Sequence, residues 1–177
     1  RTLIEYCLKE QLELHICDGS FWAVNIMTDE TREYAADIKM FPQRYHNTQD
    51  IDMSEGLEGF MALRDFEKIG NYIDTYLSGI IYTLSEPECI DIMADGISKW
   101  KGIEIIADVE KIEKENIIAV GNFYNDMDMI KNAAIGIAVA NAPEDVKKVA
   151  DYVTERTNNE NAIEEVVEQF CINPEKE

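Results

Sequence analysis

Histidine and paired cysteine are almost missing from this chain, and their scarcity removes several chemistries at once. The two histidines, His15 and His46, stand isolated, so a histidine-based metal site has no support. The four cysteines, Cys7, Cys17, Cys89 and Cys171, lie far apart with no C-x-x-C spacing. They read as small buried hydrophobes of a reducing compartment, which predicts a cytoplasmic protein rather than a disulfide or zinc framework. Cations are scarce too: 16 Lys and Arg face 36 Asp and Glu, a formal charge of -20. Such a field repels phosphate backbones and anionic lipid, which argues against nucleic acid and membrane surfaces as partners. No apolar run is long enough to span a bilayer, and no signal-peptide pattern opens the chain. The glycine patterns G-x-x-x-x-G-K-[ST] and G-x-G-x-x-G are missing, so a nucleotide-binding α/β domain has no phosphate-cradling loop.

What is present is a foldable core. Hydrophobic residues make up 46% of 177 positions, enough for one large domain or two small ones. Residues 1–95 read as an α+β unit. An opening helix (Leu3, Ile4, Tyr6, Cys7, Leu8) leads to a strand over 12–17. Asp18-Gly19 signals a hairpin turn, and 21–26 returns as a strand. A helix over 28–38 has Thr28 or Asp29 as its N-cap. A long polar connection over 41–56 carries one short strand. Strands over 59–63, 80–84 and 88–93 flank a helix over 66–77. The expected result is a helix-decorated antiparallel sheet.

Residues 96–177 alternate differently. Ser98 caps a helix to about 112, with Trp100, Ile103, Ile106 and Val109 on one face. A strand over 117–120, a helix over 125–134 and an apolar strand over 135–140 follow, the pattern of a parallel sheet buried on both faces. Asn141-Ala142-Pro143-Glu144 reads as a capping-box start of a helix to 150. A short strand at 152–153 and a helix over 162–170 close the chain. This is half of a doubly wound α/β domain.

The richest stretch is Ile117-Ile118-Ala119-Val120-Gly121-Asn122-Phe123-Tyr124-Asn125-Asp126-Met127-Asp128-Met129. A short apolar strand breaks at Gly121 into carboxamides and carboxylates, then resumes as a helix. Open α/β sheets place ligands at such carboxyl ends. Upstream, Gly96-Ile97-Ser98-Lys99 puts a lysine in the first turn of a helix. A cation there opposes the helix dipole and needs another reason to be present. Downstream stands the string from Ile135 to Glu144.

In this order and spacing the chain resembles the haloacid dehalogenase superfamily of phosphatases, in its Cof-type branch. That branch carries G-[VI]-S-K, then G-D-x-x-N-D-x-x-M, then G-x-A-x-x-N-A-P. The resemblance is close over residues 85–170 and loose over 1–84, which correspond to the inserted α/β cap. It implies an α+β cap (1–95) followed by the C-terminal half of a Rossmann-type doubly wound core (96–177). It implies a Mg²⁺-dependent phosphatase of sugar phosphates or similar small phosphorylated metabolites, working through an aspartyl-phosphate. Lys99 would be the catalytic and phosphate-binding cation, offsetting charge as the phosphoryl group transfers. Asn125 would bind phosphate. Asn122 and Asp126 would face the metal, with Asp128 farther along the helix and solvated. Loops of the cap would contact the leaving group, with Asp18, Trp22, Arg44 and Glu86 on offer.

Two departures qualify that reading. Asn122 stands where the family pattern has a metal-binding aspartate; its carboxamide can coordinate Mg²⁺ but brings no charge. The nucleophile motif, D-x-D-x-T/V after an apolar strand, is also missing. Asp50-Ile51-Asp52-Met53-Ser54 is the nearest string, but it follows a polar segment and reads as solvated loop carboxylates. The expectation is that the chain begins inside the cap, lacks the first two motifs and is inactive alone, with Mg²⁺ weak or absent. A missing N-terminal segment or a partner copy in a homodimer would then cover the exposed flank of its parallel sheet. Two other classes remain open: a non-catalytic module binding a phospho-ligand or protein on the same fold, and a purely structural interaction domain.

Overall fold

The computed structural model describes residues 1–172 apart from 20 and 55, and the chain divides into two compact units, Arg1–Asp95 and Gly96–Glu177. The first unit opens with α1 (Thr2–Glu10), whose Leu3, Ile4 and Cys7 share one buried face at helical spacing. Strands β1 (His15–Asp18) and β2 (Phe21–Val24) pair antiparallel through the expected turn, closing at Asp18 opposite Phe21. Helix α2 (Asp29–Ile38) starts at Thr28, whose hydroxyl accepts the Thr31 N–H at 3.2 Å. The two-residue β3 (Gln43–Arg44) follows, then β4 (Gly59–Ala62), α3 (Phe66–Tyr76), β5 (Ile80–Glu86) and β6 (Cys89–Ala94).

The six strands lie in the order β3-β2-β1-β4-β6-β5. One pairing corrects the all-antiparallel expectation: β2 and β3 run parallel, with Ala23 opposite Gln43. The reason is α2, a crossover helix that brings the chain back in the same direction. Ile16, Ala62, Ile90 and Ile92 from the sheet pack with Leu3, Ile4, Ile69 and Ile73 from α1 and α3. Burial of each large aliphatic side chain contributes roughly 1.5–3 kcal/mol. The cysteine expectation holds for only two of four: Cys7 and Cys89 are buried, whereas Cys17 and Cys171 are exposed. Cys17 lies on the outward side of β1, where strand alternation sends every second side chain away from the core.

The second unit contains α4 (Lys99–Glu110), β7 (Ile118–Gly121), α5 (Met127–Asn132), β8 (Ile135–Ala138), α6 (Glu144–Lys147), β9 (Tyr152–Val153) and α7 (Ala162–Val166), which runs on as a π-helical segment, Val167–Ile172. Its three strands are parallel in the order β7-β8-β9, with Ile118 opposite Ile135 and Gly121 opposite Ala138. This is the parallel arrangement that a helix between neighbouring strands demands. The whole is α/β, with a Rossmann-type sheet in its second unit. Among the described residues no helix is long and apolar enough to cross a membrane.

Three local expectations fail. Helix 125–134 starts late, because Tyr124–Asp126 forms a 3₁₀ turn ahead of α5. Asn141 does not cap α6; Pro143 holds that position, while the Asn141 carboxamide exchanges hydrogen bonds with Asn158 at 2.9 and 3.2 Å. The apolar face drawn on α4 is not a buried face: Trp100 and Ala107 are buried, but Ile106 and Val109 are 61% and 72% exposed.

The C-terminal helix carries a carboxylate that fastens the end of the sheet. Glu165 accepts the Tyr152 hydroxyl and the Glu155 N–H, both at 2.9 Å, and the Arg156 N–H at 3.1 Å. Burial pushes its carboxyl up, yet these bonds outweigh burial and hold it below the ordinary Glu value. The sign follows: the unfolded chain takes the proton first. This stabilisation is therefore full above the ordinary Glu pKa near ~4.3 and is lost as pH falls through the lowered folded value. Glu165→Gln should flatten the acid limb of a plot of thermal midpoint against pH. An acid limb identical in the two proteins would remove Glu165 from the account.

Candidate active site

Four residues singled out from the sequence belong to the second unit: Lys99, Asn122, Asn125 and Asp126. Ser98 decides where Lys99 points. Its backbone is extended and its hydroxyl accepts the Lys101 N–H at 3.1 Å, so α4 begins at Lys99. The same hydroxyl donates to the Asp128 carboxylate at 2.5 Å, tying the start of α4 to α5. Asp128 also accepts from the Asn132 carboxamide at 2.9 Å. Its exposure matches the solvated reading, but its link to Ser98 was missed. No spacing rule connects positions thirty apart; only the packing of α4 on α5 brings them together.

Asp126 is the centre of the corner after β7. It is 2% exposed, although a carboxylate resists burial unless its lone pairs are satisfied. One oxygen accepts the Asn122 N–H at 2.7 Å and the Phe123 N–H at 3.2 Å. The other accepts from the Lys99 ammonium at 2.5 Å. The carboxylate thus closes its own turn and holds the lysine. Gly121 makes this possible, since a Cβ there would stand 2.4 Å from the Asp126 Cβ. Lys99 stays half exposed, so its remaining donors can reach a ligand. Asn125 is half-buried in the 3₁₀ turn, and Asn122 is exposed at the carboxyl end of β7.

The geometry therefore unites Lys99 and Asp126 directly and places Asn122 and Asn125 on the same corner. A metal fits these residues poorly. Both Asp126 oxygens are committed, Asn122 brings only a carboxamide, and among the described residues no three His, Cys, Asp or Glu side chains are grouped to hold an ion. At this corner the described residues do not by themselves group the carboxylates of a Mg²⁺ site.

The Asp50-Asp52 string has the role its polar surroundings suggest. Asp50 accepts the His46 and Asn47 N–H groups at 2.7 and 3.2 Å, and Asp52 accepts the Ser54 N–H at 2.9 Å. The His46 N–H holds the Asp50 carboxyl below the ordinary range, and the Ser54 N–H does the same for Asp52. Both are exposed turn-formers in the first unit. Trp22 is no loop contact either: it is buried in β2, and its indole donates to His15 Nδ1 at 3.0 Å. A groove of about 710 Å³ runs between α1 and α3 and is lined by none of the motif residues, so chemistry rather than concavity locates the site.

Comparison with known proteins agrees with the motifs. The family model of haloacid dehalogenase-like hydrolases matches residues 1–167. A phosphoglycolate phosphatase of Methanothermobacter thermautotrophicus is 32% identical over 105 residues, covering 59% of this chain and 42% of the relative. A 5-amino-6-(5-phospho-D-ribitylamino)uracil phosphatase of Bacillus subtilis is 34% identical over 90 residues, covering 51% of this chain and 36% of the relative. The chain thus spans less than half the length of these curated relatives. The crystal structure of a haloacid dehalogenase-like hydrolase from Bacteroides thetaiotaomicron superposes with a TM-score of 0.78 at 28% identity, covering 96% of this chain and 65% of that one. With both its ordered motifs and nearly its whole length accounted for, the chain belongs to the haloacid dehalogenase-like hydrolases.

Proposed function

We propose that this chain carries the cap, the lysine and the asparagine-aspartate corner of a phosphoric monoester hydrolase acting on a small phosphorylated metabolite. The observation that supports it is the Lys99–Asp126 contact of 2.5 Å at the carboxyl end of a parallel strand. The buried carboxylate keeps the ammonium fixed on one side of the corner. A transferring phosphoryl group placed there would meet a pre-positioned cation, which costs no reorganisation as charge develops. The Asn125 carboxamide would hold a phosphate oxygen from the same turn. Relatives named as phosphoglycolate and ribitylaminouracil phosphatases make a small monoester the natural substrate class.

The reaction also needs an attacking carboxylate, whose oxygen bonds to phosphorus while the substrate oxygen leaves as an alcohol. Among the described residues no Asp-x-Asp string lies on a strand, so that group would come from another segment of polypeptide. The family's Mg²⁺ would likewise need carboxylates beyond Asp126. β7 is an edge strand among the described residues, and Ile105, Ile106 and Val109 leave apolar surface on α4. A further strand of the same protein, or a second copy, would bury both features.

The chain alone should therefore show no turnover of para-nitrophenyl phosphate or sugar phosphates with added Mg²⁺. Turnover above a buffer blank that disappears in Asp52→Asn would overturn this reading. In a longer polypeptide bearing an Asp-x-Asp strand, Lys99→Ala should lower kcat about 10²–10³-fold. An unchanged kcat would take Lys99 out of the chemistry. No turnover at all in that longer polypeptide, with phosphate-ligand binding retained, would favour the second reading, a non-catalytic phospho-ligand binding module, which Asn122 in place of a carboxylate supports.

A further inference from the structure

The first unit contains a buried carboxylate with an unfilled lone pair. Glu13 is 2% exposed and His15 is fully buried. The Trp22 indole can only donate, so His15 Nδ1 accepts and the Nε2–H donates a hydrogen bond to Glu13 Oε1 at 2.9 Å. The Thr31 and Thr28 hydroxyls donate to the same oxygen at 2.6 and 3.3 Å. The other oxygen, Oε2, is buried without a hydrogen-bond partner. Its nearest cation is Arg64, whose Nε is 4.0 Å away, beyond hydrogen-bonding reach, and whose Nη2 already donates to Glu30 at 2.5 Å. Burial pushes the Glu13 carboxyl up, but the bonds from His15 and Thr31 prevail and hold it below the ordinary range. Glu13 is thus an anion beneath the surface, with one oxygen left open.

That carboxylate lines a cleft of about 240 Å³. Glu30, Glu86 and Glu88 line it as well, and Arg64 is its sole cation among the described lining residues. Four carboxylates against one engaged guanidinium make the cleft strongly attractive to positive charge. A bare metal ion is a poor occupant, because among the described residues no three His, Cys, Asp or Glu side chains are grouped to ligate one. Carboxylates spread along a cleft suit a ligand whose charges are also spread. An ammonium group brings three donors, one of which would satisfy Glu13 Oε2.

We propose that this cleft is a binding site for an aliphatic diamine or polyamine, with one ammonium on Glu13 and another toward Glu86 and Glu88. The site does not depend on the phosphatase reading, since none of its residues belongs to the Lys99–Asp126 corner.

The test uses the full chain and putrescine, with butylamine and MgCl₂ at matched ionic strength as controls. Calorimetry should show saturable one-to-one binding of putrescine, weaker binding of butylamine, and no equivalent saturation with Mg²⁺. Glu13→Gln should weaken putrescine binding about 10- to 100-fold, the worth of one charge-assisted hydrogen bond. If that variant does not fold, Glu86→Gln/Glu88→Gln on the rim serves in its place and should also weaken binding. The indole N–H resonance of Trp22, linked to Glu13 through His15, should shift on titration while that of Trp100 does not. The proposal is overturned by undiminished affinity in the folded variants. It is equally overturned by a response reproduced with MgCl₂ or by a Trp22 resonance that stays put.

Discussion

Gly136→Ala is expected to unfold the second unit. Gly136 lies in β8 where α5 crosses closest, and a Cβ there would stand 1.9 Å from the Ile130 carbonyl oxygen and 2.7 Å from its carbon. Those are backbone atoms, so no rotamer change relieves the clash. α5 would have to lift off β8, taking Ile130 out of a small cluster with Ala138, Val139 and Val146. It would also strain the exchange with Asp151, whose carboxylate accepts the Gly136 N–H and whose own N–H donates to the Gly136 carbonyl, both at 2.8 Å. Overpacking against backbone belongs to the rare substitutions costing more than about 4 kcal/mol. A unit of this size has a total stability of only about 4–12 kcal/mol. Loss of hydrogen-exchange protection at the β8 amides would be the readout. Wild-type protection in the variant would contradict the close approach of α5 to β8.

The second large effect is expected at Asp126. Asp126→Ala removes the acceptor for two backbone N–H groups and strands the Lys99 ammonium. Hydrogen bonds to a charged group contribute about 1.5–3 kcal/mol, and Lys99 adds less because it is half exposed. The expected loss is therefore about 2–3 kcal/mol, or a fall in thermal midpoint of roughly 10–20 °C for a unit of this size. Asp126→Asn retains an acceptor oxygen for the turn and should cost about 1 kcal/mol, chiefly through the lysine. The pair of variants separates turn closure from charge pairing. A Tm for Asp126→Ala within 2 °C of wild type would mean the carboxylate does not organise this corner.

Both sites show why some features were legible beforehand and others were not. Hairpin chemistry at Asp18-Gly19, the caps at Thr28 and Ser98, and the helix–strand alternation after residue 96 are local signals. Each rests on backbone preferences within a few residues. The β2–β3 pairing was missed because the direction of a two-residue strand depends on where a helix returns the chain. The apolar face drawn on α4 failed because periodicity marks what could be buried, not what is available to bury it: Trp100 finds cover and Val109 does not. Trp22, offered as a loop contact, has instead become part of a buried polar chain with His15 and Glu13. Those partners are close in sequence, yet only the pleat of β1 and its pairing with β2 bring them together.

The sequence by itself determined the family, because its motifs are short strings whose residue types and spacing survive without coordinates. It also determined the α/β class and the parallel pair around 117–138, because a helix between two neighbouring strands leaves no other direction. Tertiary structure alone decided that Asp126 is buried against Lys99, that Asp128 holds Ser98, and that Glu13 keeps an open oxygen. These depend on side chains from separate elements meeting within hydrogen-bond reach, and an ångström-scale distance between elements is written in no local pattern.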